Sequence, residues 1–97
     1  MKDENMKAKA KAKVLRHLNE NGYIQDESGY YSKEPLKGLK VRLLLGDGSV
    51  KLEVEAGGET GTEVMPYNTL GWCGACIEEK LQCSIQDLVI EMVLRLV

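Results

Sequence analysis

The chain has 97 residues, 43% of them apolar and 29% charged, and a formal net charge of −2, which leaves room for one small core and none for a second domain. No apolar run reaches the about 20 residues of a membrane-spanning helix, and the N-terminus, charged from Lys2 onward, lacks the apolar middle of a signal peptide. The chain is therefore expected to be soluble and cytoplasmic, with its three cysteines as reduced thiols rather than a disulfide framework.

The segment MKAKAKAKVLRHLNENGY is built from good helix formers and breaks at Asn21 and Gly22, which predicts a helix over residues 4–21 with residues 1–5 frayed. Its Ala and Lys alternation has the period of a strand, but both are poor strand residues, and Val14, Leu15 and Leu18 fall at helical spacing. Residues 1–23 carry six Lys or Arg against three acids, and the remainder carries seven against twelve. The basic run Lys7, Lys9, Lys11, Lys13 and Arg16 has no aromatic interleaving, so it reads as a solvated helix face, and nucleic acid is not expected as a partner.

Tyr30 and Tyr31 suggest a short first strand closed by Pro35 and Gly38. The stretch LKVRLLLGDGSVKLEVEA then alternates on both sides of a turn at Asp47 and Gly48, the pattern of a hairpin. A two-residue turn sets Leu45 opposite Val50, Leu43 opposite Leu52 and Val41 opposite Val54 on one face. On the other face it sets Arg42 opposite Glu53 and Lys40 opposite Glu55. Each charge pair is worth ~0.2–1 kcal/mol, and a one-residue slip would turn one strand's apolar set outward.

Gly57, Gly58 and Gly61 mark the next loop, and TEVMPYN supplies a third strand ending at Pro66. After a loop holding Trp72, ACIEEKLQ reads as a short helix with Ile77 and Leu81 inward. Ser84 is a candidate N-cap with Asp87 three residues on, and Cys83 would pack on Leu88 as a hydrophobic staple. Ile85, Leu88, Val89, Met92, Val93 and Leu96 then predict a final helix over 85–96, with a strand over 88–97 as the alternative because of its β-branched content. A second apolar set, Ile90, Leu94 and Val97, calls for a cover, either the first helix or a second copy of the protein.

Trp72, Cys73, Gly74, Ala75 and Cys76 read WCGAC, which resembles the active-site sequence of the thioredoxin family. The resemblance implies Cys73 as a nucleophilic thiolate at a helix N-terminus and Cys76 as the resolving thiol of a thiol-disulfide oxidoreductase or redox sensor. It covers five residues. Only 21 residues follow Cys76, no proline occurs after Pro66, and no βαβ unit precedes the motif, so the family's fold cannot be assembled around it. The other reading is of small cysteines flanking a tight turn.

Cys73, Cys76, Cys83 and His17 supply four candidate zinc ligands but only one short-spaced pair, so neither a metal nor another cofactor is expected. GDGSV and GGETGTE lie between strands and lack the phosphate-binding context. Glu53, Glu55, Glu59 and Glu63 read as a solvated acidic face. Tyr23, Tyr30, Tyr31, Tyr67 and Trp72, in a chain without Phe, serve either as core or as a recognition patch.

Together these features predict an α+β domain over residues 1–97, with a three- to four-stranded antiparallel meander sheet packed on one face by N- and C-terminal helices. No catalytic constellation emerges. The expected role is a non-enzymatic binding or interaction module, assembled as a homodimer and open to a further protein partner, with Ile90, Leu94, Val97 and Trp72 as candidate interface residues.

Overall fold

Helix α1 (Lys2–Glu20) forms over the Ala, Lys and Leu run and stops where the glycine marks it. Gly22 sits at φ +83° and the Tyr23 amide donates to the Leu18 carbonyl at 3.0 Å, the Schellman closure that a left-handed glycine permits. The structure, a computed structural model, describes residues 2–70 and 74–96, without the side chains of 2–7, 68, 74, 75 and 96. Trp72, Cys73 and Val97 lie outside the described residues.

Five strands follow as an antiparallel meander in chain order: β1 (Ile24–Gln25), β2 (Tyr31–Leu36), β3 (Leu39–Leu45), β4 (Ser49–Ala56) and β5 (Glu59–Pro66). The sheet has more strands than the three or four expected. The two-residue β1 is too short to show a period, and β2 continues through Pro35, which the sequence marks as a stop. Proline is tolerated there because β1 pairs only with Tyr31 and Ser32, so the edge of β2 at Pro35 needs no donor.

The β3–β4 register is the one the alternation predicts, from Leu45 opposite Val50 to Lys40 opposite Glu55. Val41, Leu43, Val50, Leu52 and Val54 are buried on one face. On the other, Arg42 reaches Glu53 at 3.3 Å, whereas Lys40 and Glu55 do not close to ion-pair distance among the described residues. Only Gly57 and Gly58 turn the chain into β5; Gly61 is a strand residue, not part of the loop. The register also divides the presumed acidic face: Glu53 and Glu55 pair with Thr62 and Thr60 on the outer side, while Glu63 pairs with Leu52 on the inner side.

The short α2 (Tyr67–Leu70) buries Tyr67 and Leu70, and the Tyr67 hydroxyl donates to the Gly46 carbonyl at 2.7 Å, tying the hairpin turn to the core. One helix, α3 (Gly74–Leu96), then replaces the two helices expected over 75–82 and 85–96, and the strand alternative for 88–97 does not hold through Leu96. Ser84 is no N-cap. It lies buried in mid-helix, its hydroxyl 3.4 Å from Met65 Sδ, and Cys83 is exposed rather than stapled on Leu88. The inward residues Ile77, Leu81, Ser84, Ile85, Leu88 and Met92 keep one helical period across the presumed break.

Helix α3 lies across β4 and β5, and α1 lies along α3 and against α2. Ala10, Val14 and Leu18 of α1 join α3 and the inner sheet face in one apolar cluster. The approach of α3 is tight at Gly61, where an added Cβ would stand 3.3 Å from Leu88 Cδ2 and 3.5 Å from Met92 Sδ. Gly61→Val is accordingly expected to cost about 1–3 kcal/mol through overpacking, read as a lower urea midpoint with unchanged slope. Gly48→Ala, where a Cβ meets nothing within 4 Å, is expected to leave the midpoint nearly unmoved.

Candidate functional site

Because α3 covers β4 and β5, the inner face of the sheet toward β2 stays open. A groove of about 470 Å³ runs there, between β2 and the start of β3 on one side and α3 on the other. Leu36, Leu39, Ile85, Val89 and Ile90 give it apolar walls, and Tyr23, Lys33, Glu78 and Gln82 meet at one end. This is the usual composition of a ligand site, apolar with a few convergent polar groups.

Each polar residue is placed by a separate element. The Schellman closure of α1 delivers Tyr23, and the pairing of Lys33 with Val41 turns the lysine to the inner face. The Lys33 ammonium stands 5.5 Å from the centroid of the Tyr23 ring, within cation–π range. On α3, Glu78 accepts from the Gln82 amide at 3.0 Å and from His17 Nε2 at 2.7 Å. Asn21 Nδ2 lies 3.3 Å from His17 Nδ1 and donates to the His17 carbonyl at 2.7 Å. The network assigns the proton to Nε2, facing the carboxylate, and leaves Nδ1 as an acceptor.

His17 is buried. The signal was present, since Val14, His17, Leu18 and Asn21 recur at i, i+3, i+4 and i+7 on one helix face. His17 is committed to Glu78 while Cys83 points outward, so the two do not share a ligand set. Among the described residues no group of three His, Cys, Asp or Glu side chains is placed to hold a metal ion.

The far side of α3 carries the predicted interface residues. Ile90 and Leu94 are 57% and 68% exposed, and α1 does not cover them. Val93, expected to point inward, is 52% exposed beside them. Cys76 and Cys83 are exposed on the same face, fourteen and seven residues before Ile90. The described strands are all antiparallel, so Cys76 stands in a different fold from the one the thioredoxin resemblance implies.

The outer sheet face is polar around Arg42, which bonds Asp26 and Glu53 and lies 4.3 Å from the Tyr30 ring centroid. The Ser28 hydroxyl, ahead of the Tyr30 and Ser28 amides and Arg42, holds the Asp26 carboxyl below its ordinary range. These contacts tie the Asp26–Tyr30 turn onto β3. Tyr30 therefore serves this turn, Tyr67 the core and Tyr23 the groove. No family model, curated protein or solved structure matches the chain.

Two pH dependences follow from the polar end of the groove. Burial raises the Glu78 carboxyl, but bonds from Gln82 and His17 and the Lys33 charge outweigh it and leave it below its ordinary value. Folding thus favours ionised Glu78, a small contribution from a half-exposed group, present above the unfolded glutamate pKa and lost as pH falls through the lower folded one. Glu78→Gln is expected to lower the thermal midpoint at neutral pH, with the gap closing in acid; a pH-independent gap would contradict this. Burial first, and the Glu78 charge second, push the Tyr23 phenol up to about 12. Its neutral form is favoured by folding, an advantage complete below the ordinary value of 10.0 and lost as pH rises through about 12. Tyr23→Phe is expected to remove that alkaline loss, as read in denaturation midpoints between neutral and strongly basic pH.

Proposed function

We propose that the protein is a non-enzymatic binding module that acts as a homodimer, with a second copy docked on the outward face of α3. The observation that carries this reading is the exposed apolar stripe Ile90, Val93 and Leu94 on a long helix whose opposite face is already buried in the core. Monomers seldom leave such a contiguous stripe in water.

The spacing favours a like partner. Cys76, Cys83 and Ile90 repeat every seven residues, with Gln86 and Val93 at the intervening steps of three and four, the seam along which two helices pack side by side. A two-fold axis through such a seam brings the same patch of both copies together. No helix among the described residues is long and apolar enough to cross a membrane, so a bilayer-spanning role does not account for the stripe.

Sedimentation equilibrium tests the reading. The wild-type chain is expected to give twice the chain mass and Leu94→Glu the chain mass, with far-UV circular dichroism unchanged because Leu94 makes no core contact. A wild type that remains monomeric over the accessible concentration range would contradict the proposal.

A further inference from the structure

We propose that the groove between β2 and α3 binds one small amphiphile, an unbranched apolar chain ending in a carboxylate, with the chain against Leu36, Leu39 and Val89 and the carboxylate on Lys33 and Tyr23. This rests on the reading of the protein as a binding module, but not on its being a dimer.

The polar end sets the charge of the ligand. Both oxygens of Glu78 are already engaged, one by His17 and the other by Gln82. The Lys33 ammonium, by contrast, has the Tyr23 ring for a neighbour, and neither it nor the Tyr23 hydroxyl makes a hydrogen bond among the described residues. Two donors without a hydrogen-bonded acceptor thus line the groove, beside a Glu78 carboxylate whose charge acts on both but which bonds His17 and Gln82 instead. A carboxylate satisfies both donors through charge-assisted bonds, whereas a cationic head brings no acceptor for either.

The walls set the shape. A volume of about 470 Å³ falls within the range of small-molecule sites and leaves no room for a helix about 10 Å across. An extended peptide would need the free edge of β2 as a template, and that edge carries Pro35, which has no N–H to offer. The stripe adjoins the groove along α3, with Gln86 and Ile90 shared between the two surfaces, whereas Leu36, Leu39 and Lys33 belong to the groove alone and Leu94 to the stripe alone.

The test is calorimetric titration of the full chain with dodecanoate below its micellar concentration, alongside dodecanol and dodecyltrimethylammonium, with 15N amide shifts to locate the site. The expected result is one dodecanoate per chain, about ten-fold or more weaker binding of the alcohol, no binding of the cation, and shifts concentrated at Lys33, Leu36 and Val89. Lys33→Met, which keeps an unbranched side chain, is expected to lose about ten-fold in dodecanoate affinity. Leu94→Glu is expected to bind as the wild type does, which separates failure of the groove from failure of the dimer. The proposal is overturned if dodecanoate does not bind, if the alcohol or the cation binds as tightly, if Lys33→Met binds equally, or if the shifts fall on the outer face of α3. The head-group series on the wild-type chain decides the matter even if the lysine variant does not fold.

Discussion

The close approach of α3 to β5 at Gly61 is the constraint on which the rest of the molecule depends. Leu88 and Met92 occupy the space a side chain at position 61 would take, so the helix axis is drawn over β4 and β5 rather than over the middle of the sheet. Ile77, Leu81, Ile85, Leu88 and Met92 then bury along one side of a single helix, and Ser84 is carried inward with them to meet Met65. Its hydroxyl finds a weak partner in the thioether, which keeps the cost of burying it low.

Two surfaces follow from that placement. Toward β2 the sheet's inner face is left without a cover, and the gap becomes the groove. Away from the sheet, Ile90, Val93 and Leu94 are left more than half exposed. A helix between two apolar environments reads in sequence as apolar nearly all round. Electrostatics divides the two surfaces: the groove ends in the Lys33, Glu78 and His17 cluster, anchored by three separate elements, whereas the stripe carries no such anchor and depends on area alone.

The sequence made the β3–β4 hairpin legible because two independent patterns, apolar alternation and opposite charges, agree on one register. It made α1 legible through Gly22 and the helical spacing of Val14 and Leu18. It misled at Ser84, where a good N-capping residue beside a cysteine imitates a helix start; the ladder from Ile77 to Met92 runs through that position without a change of period. Gly61 imitated a turn residue for a related reason. A strand glycine under a helix and a loop glycine look alike until the helix is placed. His17 could have been found from its spacing with Val14 and Leu18. The groove could not, because it depends on where α3 crosses the sheet, and no local pattern encodes the lateral position of a helix.

The central claim, that α3 meets the sheet with one face and a second copy with the other, is tested most directly by electron–electron double resonance. Nitroxides would be placed at Asp87 through a ketone-bearing unnatural amino acid, which leaves Cys76 and Cys83 of the seam unchanged. Asp87 is exposed beside the stripe, and each chain would carry one label, so any dipolar modulation must arise between copies. The account predicts a single narrow distance that fades when unlabelled chain is added in excess. An undamped baseline with no modulation, at concentrations where the protein is folded, would contradict it.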